Sequence, residues 1–349
     1  MFLREQTKQI LVRDVKIGGN APVVIQSMTN TKTADVESTV AQILRLEEAG
    51  CQVVRLTAPD MESAQAFGKI KKRVSIPLIA DIHFDYRIAL ECIKNGADKI
   101  RLNPGNIGGA DRVASVAKLA KEYGVPIRIG VNSGSVDKEL LEKYGAPTPD
   151  AIVESAFKHI NMLFDVNFEN IAVSLKTSDV VNTIECYRRF AELSDLPLHV
   201  GVTEAGTVRT GSIKSAVGIG SILSGGIGNT VRVSLTGDPV EEIYVAKAIL
   251  KSLDLVPGGV NIVACPTCGR TNVDLPSIAE EVEKALSGCN RNITVAVMGC
   301  AVNGPGEARE ADYGVACGKG EGLLFKKGEI IKKVSENEIV SSLLELINE

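Results

Sequence analysis

Charge of one sign does not dominate this 349-residue chain. Lys and Arg number 39 against 43 Asp and Glu, a formal net charge of −4. That balance argues against a nucleic-acid or membrane-surface protein. Blocks of like charge and polar low-complexity tracts are also missing. No apolar run reaches the roughly 20 residues needed to cross a bilayer. The first residues, Met-Phe-Leu-Arg-Glu-Gln-Thr, are too polar for a signal peptide. The reading is a soluble cytoplasmic protein with neither nucleic-acid nor membrane partners. Its eight cysteines are then not a disulfide framework, because the cytosol keeps thiols reduced. No Gly-x-Gly-x-x-Gly follows the first strand-like run, which weakens a dinucleotide site. No second Cys-x-x-Cys completes a zinc ribbon.

What the chain does have is a rhythm. A hydrophobic content of 44% supports a large core, and the length allows two domains. Residues 7–19 alternate around Arg13-Asp14 like a small hairpin that could plug one end of a larger fold. Strand-like runs then recur at Val23–Ser27, Val53–Thr57, Leu78–Phe84, Lys99–Asn103, Ile127–Asn132, Ile171–Lys176, Leu198–Thr203 and Thr230–Ser234. Between them lie amphipathic segments such as Asp35–Ala49, Arg87–Asn95, Ala110–Tyr123, Ala151–Phe164, Asp179–Leu193, Ser212–Leu223 and Val240–Leu250. Gly50, Gly96 and Gly124 fall where helix C-caps are expected. Eight strand–helix rounds predict a (β/α)8 TIM barrel over residues 1–255, with an open doubly wound sheet as the alternative. After the Pro-Gly-Gly at 257–259 the texture changes. Residues 260–349 read as a small α+β domain, with strands at Val260–Ala264, Ile293–Met298, Tyr313–Cys317 and Leu323–Lys327. Its helices are expected at Ser277–Leu286 and Glu336–Ile347.

Side chains at i and i+2 of a strand face the same way, and barrel enzymes work at the C-terminal strand ends. Polar pairs occur there in strand after strand: Arg55 and Thr57, Asp81 and His83, Arg101 and Asn103, Ser174 and Lys176, Arg232 and Ser234. Arg128 with Asn132, and Thr203 with Glu204, fill the remaining strand ends. Four arginines and a lysine on one mouth repel one another unless an anion compensates them. Asp81 and Glu204 are the acids in view, and two cannot neutralise five. The cluster therefore predicts a small polyanionic substrate carrying more than one phosphate, matched by guanidinium forks. Asp81 and Glu204 are candidates for proton transfer, Asp81 equally for orienting an arginine. His159 and His199 read as structural.

Cys265-Pro-Thr-Cys268-Gly-Arg is answered about thirty residues on by Gly299-Cys300-Ala-Val-Asn-Gly-Pro-Gly-Glu307. Cys-x-x-Cys alone fits zinc, a redox dithiol or a cluster. A third thiol in a glycine-rich loop favours an iron–sulfur cluster, because glycine lets backbone N–H groups approach the sulfurs. The fourth ligand stays open. Cys289 and Cys317 lie outside such a loop. Glu307 is the nearby oxygen donor, although spacing alone favours reading it as a solvated loop residue. As a ligand it would be harder and more exchangeable than a thiolate.

Taken together, these motifs closely resemble the bacterial hydroxymethylbutenyl diphosphate synthases of the non-mevalonate isoprenoid pathway, in their two-domain form. Gln26-Ser-Met-Thr-Asn-Thr31, Ala80-Asp-Ile-His-Phe84 and Arg101-Leu-Asn-Pro-Gly-Asn106 match as well, so the resemblance covers essentially the whole chain. It implies a TIM barrel joined to an α+β domain with a [4Fe–4S] cluster on Cys265, Cys268, Cys300 and Glu307. It also implies a head-to-tail homodimer whose active site is shared between chains. The substrate would be 2-C-methyl-D-erythritol 2,4-cyclodiphosphate, opened and dehydroxylated with two electrons from flavodoxin or ferredoxin. By matching position, diphosphate contacts fall on Arg55, Arg101, Asn103, Arg128, Asn132, Lys176, Arg232 and Ser234, and the proton donor on Glu204. Two other readings compete. A pterin-binding or methyltransfer barrel leaves the cysteines without a role, and a zinc module for RNA or a protein conflicts with the acidic balance.

Overall fold

A computed structural model spans the chain and describes every residue except 257, 258, 287, 288, 290, 301–305, 307 and 308. The chain divides into two units, Met1–Val256 and Pro257–Glu349.

The first unit opens with an antiparallel hairpin, β1 (Ile10–Val12) and β2 (Val15–Ile17), turning at Arg13 with φ of 58°. Eight parallel strands come next: β3 (Val24–Met28), β4 (Val53–Thr57), β5 (Leu78–Asp81), β6 (Lys99–Leu102), β7 (Ile127–Asn132), β8 (Ile171–Lys176), β9 (His199–Val200) and β10 (Thr230–Val231). β10 pairs with β3 and β9, and a bridge between Val173 and Leu198 joins β9 to β8, so the sheet closes on itself. Its outward Val, Ile and Leu side chains pack under the helices in one continuous core. Asp35, Asp60, Asp85, Thr148, Asp179 and Asp238 each accept a backbone N–H at a helix start. These caps satisfy orphan donors and set where each helix leaves its strand. Gly50, Gly96 and Gly124 take positive φ where a helix ends. The hairpin sits at the other end of the barrel. Ile10, Val12 and Ile17 pack on Val24, Val53, Ile79 and Ala172, inward residues near the strand starts, and close that end with apolar contacts.

The barrel departs from expectation at its edges. The runs ending at Phe84, Thr203 and Ser234 overshoot: the strands end at Asp81, Val200 and Val231, and single backbone hydrogen bonds such as Ile82 N–H to Arg101 C=O carry on beyond them. Helix Met61–Lys71, between β4 and β5, was not singled out by the sequence pattern. Its core-facing residues are mostly small, Ser63, Ala64 and Ala66 beside Phe67 and Ile70.

In the second unit five strands lie in sequence order: β11 (Val260–Ala264), β12 (Ile293–Met298), β13 (Tyr313–Gly318), β14 (Glu321–Lys326) and β15 (Glu329–Ser335). The first three are parallel and the last two antiparallel. Helices Leu275–Leu286 and Ile339–Asn348 cover one face through Ile278, Val282, Leu343 and Ile347. β15 was not expected. Its Glu-Ile-Ile-Lys-Lys-Val-Ser sequence lacks alternation because only Val334 is buried and the rest of this edge strand is solvated.

Candidate active site

Strand alternation delivers the site. Arg55 and Thr57, Asp81, Arg101, Arg128 and Asn132, and Ser174 and Lys176 point inward from β4 to β8. They line one cavity of about 240 Å³ with Met28, His83, Thr203, Arg232 and Ser234. The volume suits a small molecule and is tight for a dinucleotide. Met28 is the one apolar side chain among these lining residues. A wall so polar at the C-terminal strand ends is built to hold charge.

Cations outnumber anions in that wall. Asp81 pairs with Arg101 at 3.1 Å and Arg55 at 3.5 Å. Burial pushes its carboxyl up, but Arg55 and Arg101 outweigh this and hold it below the ordinary carboxylate range. Arg232 donates from Nη2 and Nε to the Glu242 carboxylate at 3.1 and 3.3 Å. Glu242 also accepts from the Ser27 hydroxyl at 2.9 Å and the Leu235 N–H at 3.2 Å. Against these two carboxylates stand Arg55, Arg101, Arg128, Arg232 and Lys176, with Lys99 fully buried one step below Arg101 on β6. Burial, with its cationic neighbours, pulls Lys176, Lys99 and Arg128 well below their ordinary ranges. Burial brings Arg55 down to about 10 despite Asp81. Arg128 is 1% exposed, and its Nε and Nη1 have no hydrogen-bond partner among the described residues. An unpaired buried guanidinium is among the most costly groups a fold can carry.

Two glycines make room for the long side chains. A Cβ on Gly130 would stand 2.8 Å from Arg101 Nε, and one on Gly201 would stand 2.8 Å from Lys176 Nζ. Sequence reasoning missed both glycines, and Met28 and Glu242 as well. Glu242 follows Arg232 by ten positions and sits in the first turn of a helix, where an acid usually just faces solvent.

Not every expected residue is buried in the wall. His83 lines the cavity from past the end of β5, where it is exposed. Asn103 is buried off the wall, its Oδ1 accepting the Gly105 N–H and its Nδ2 without a partner among the described residues. Glu204 is exposed beside Thr203 and holds a left-handed φ of 52°, a strained conformation for a side chain of this kind. His159 lies on helix Pro149–Phe164, and His199 is buried under Lys176.

In the second unit, parallel pairing brings the ends of β11 and β12 side by side, with Ala264 opposite Val297. Cys265 follows one end, Gly299 and Cys300 the other. The Gly299 N–H donates to Cys265 Sγ at 3.1 Å. Hydrogen bonds from the Arg270 backbone and side chain pull the exposed Cys268 thiol below its usual range. N–H groups aimed at two thiol sulfurs, at neighbouring strand ends, fit thiolate ligands of an iron–sulfur cluster. Among the described residues no three His, Cys, Asp or Glu side chains converge on one point, and Glu307 lies outside those residues. None of the eight cysteines forms a disulfide.

Against known proteins, residues 7–247 match the GcpE TIM-barrel domain and residues 261–349 the GcpE protein C-terminal domain. The 4-hydroxy-3-methylbut-2-en-1-yl diphosphate synthase (flavodoxin) of Ruminiclostridium cellulolyticum is 62% identical over 346 residues, covering 99% of this chain and 98% of its own. The protein of the same name from Clostridium perfringens is 58% identical over 344 residues, with 99% of each chain covered. Among solved structures, the dihydropteroate synthase of Yersinia pestis aligns with 71% of this chain and 99% of its own. Its TM-score is 0.52 at 13% identity, a likeness of fold alone. That of Stenotrophomonas maltophilia covers 72% of this chain and 100% of its own, with TM-score 0.52 and 15% identity.

Proposed function

The chain belongs to the GcpE family, and from that membership we propose how its residues perform the family's reaction. It is an iron–sulfur oxidoreductase that reductively opens 2-C-methyl-D-erythritol 2,4-cyclodiphosphate to (E)-4-hydroxy-3-methylbut-2-enyl diphosphate. The observation that carries the site assignment is the uncompensated charge of the barrel mouth. Arg55, Arg101, Arg128, Arg232 and Lys176 share two carboxylates, and the negative charges of a cyclic diphosphate offset most of the remaining positive excess. Arg128 offers two unpaired donors for it, with Asn132, Thr203 and Ser234 taking further phosphate oxygens. Asn103 joins them if its unpartnered amide turns toward the mouth.

Cys265, Cys268, Cys300 and Glu307 would hold a [4Fe–4S] cluster, which would supply single electrons drawn from flavodoxin, the donor named for the relatives, or from ferredoxin. The chain's own residues do the rest. The cations hold the diphosphate while the ring carbon–oxygen bond breaks. Asp81, kept ionised between Arg55 and Arg101, orients both guanidiniums and so is poorly suited to give up a proton. Glu204, next to a wall residue and in a strained backbone, is the group we assign to protonation of the leaving hydroxyl. The two units divide the work, residues 1–255 binding substrate and 260–349 the cluster. We further propose that a head-to-tail homodimer brings one chain's cluster to its partner's barrel. The protein works in the cytoplasm. Its unpaired thiols suit that compartment, and among the described residues no helix is long and apolar enough to cross a membrane.

Calorimetric titration with the cyclic diphosphate tests the binding half. We expect one site per chain whose affinity falls as salt is raised, because the contacts are ionic. Salt-independent binding, or none, rejects the assignment of the mouth.

A further inference from the structure

One buried polar chain runs from Lys176 beneath the mouth, and its further members, His199 and Thr230, have no part in the roles above. Lys176 Nζ lies 3.2 Å from His199 Nε2, and His199 Nδ1 lies 2.6 Å from Thr230 Oγ1. The three residues belong to β8, β9 and β10, and His199 and Thr230 are paired directly across the ladder. Lys176, His199 and Thr230 are 7%, 1% and 2% exposed. The passage from Lys176 to His199 exists because position 201 is glycine. A Cβ there would stand 2.8 Å from Lys176 Nζ and 2.5 Å from the Arg232 carbonyl oxygen.

The charge of Lys176 sets the hydrogen-bond directions in the chain. As the ammonium that holds an anion it only donates, and His199 Nε2 then accepts. His199 Nδ1 then carries the ring proton and donates to Thr230 Oγ1. The ring is neutral. Burial, then the positive charges of Arg128 on β7, Lys176 on β8, Lys99 on β6 and Arg55 on β4, push its ionisation well below the ordinary histidine range. Tyr187, from helix Val180–Leu193, donates its hydroxyl to the His199 carbonyl and completes the surroundings. A neutral acceptor is what a lysine crowded by arginines needs. A second cation would repel it and a carboxylate would neutralise it.

We infer that His199 is a positioning residue, which holds the Lys176 ammonium at the pocket floor with its remaining N–H groups directed at an incoming anionic substrate group. The inference rests on reading the mouth as a diphosphate site. A purely structural role is the competing explanation, because β9 and β10 are only two residues long and His199 sits at the barrel's closure.

Two measurements on the holoprotein separate these. In the first, binding of the cyclic diphosphate is compared across variants. His199→Leu should raise Kd about tenfold, the worth of one hydrogen bond to a charged group. His199→Gln, whose amide oxygen can take the place of Nε2, should recover most of that loss. In a Lys176→Met background, His199→Leu should change Kd less than about twofold, because the partner it serves is gone. An equal effect in both backgrounds, or no effect in the wild type, overturns the inference. If the wild type fails to bind the cyclic diphosphate at all, it is the diphosphate reading that falls, and the second measurement still decides on His199. The chain has three histidines, so selective 15N-histidine labelling resolves each ring. His199, assigned by its loss in His199→Gln, should keep an Nδ1–H tautomer without titrating from about pH 6 to 8, where ordinary histidines change charge. Its Nε2 shift should move in Lys176→Met. An Nε2–H tautomer, or an Nε2 shift indifferent to Lys176, contradicts the inference.

Discussion

Arg128 shows most sharply what single residues do here. Its side chain is buried with two nitrogens unpaired, an arrangement that lowers stability unless a ligand completes it. Arg128→Met should therefore act in opposite directions on folding and function. Thermal unfolding of the substrate-free protein should move upward by a few degrees, about 1–2 kcal/mol, while affinity for the cyclic diphosphate drops by roughly a hundredfold. A variant that loses stability as well would mean the guanidinium has a protein partner. Asp81 makes a prediction about pH. Its folded-state ionisation lies below the unfolded value, so the stability it adds is present above about pH 4 and is lost as pH falls through the folded value. The gap in unfolding free energy between wild type and Asp81→Asn should be widest near neutrality and shrink below about pH 4. A gap that is constant with pH would show that the carboxylate charge is not what matters. Residues of this kind were legible from the sequence because strand alternation is strict: one polar position at a strand end predicts the direction of the next. Glu242 was not legible. Its partner Arg232 lies on another element, and only the fold brings the two within 3.1 Å.

Elements carry a different kind of information. The hairpin at residues 10–17 could be read from alternation and the turn at Arg13, and its packing follows from which face is apolar. Ile17 is 1% exposed against the barrel floor, while Leu11, on the opposite face of the same hairpin, is 50% exposed. Ile17→Ala should cost about 2–4 kcal/mol in denaturant unfolding. Leu11→Ala should stay within about 0.5 kcal/mol. Equal losses would mean that the hairpin does not plug the barrel. Elements that resisted reading share a cause. β9 and β10 have two residues each because the ladder ends early at the mouth, although their side chains continue inward to Thr203 and Ser234. β15 hides because an edge strand needs no apolar face. Burial writes the pattern that sequence reading relies on, and where burial stops the pattern stops.

At the scale of the whole molecule, the proposed roles put substrate and electrons on different units of the chain, and motif identity alone linked them in the sequence. The proposed homodimer makes a complementation test possible. On the proposed roles, Arg128→Met should disable a barrel and Cys268→Ser a cluster. If each site is built from two chains, exchanging the two inactive variants at equal ratio should restore about a quarter of wild-type activity, since half the dimers are mixed and each has one intact site. No recovery would place barrel and cluster of one site on a single chain. One measurement tests the proposed reaction most directly: an electron count on anaerobically purified, metal-loaded protein supplied with the cyclic diphosphate. The protein should be brown with about four irons per chain, and should consume two electrons for each hydroxymethylbutenyl diphosphate formed. Colourless, zinc-loaded protein, or electrons consumed without that product, would contradict it.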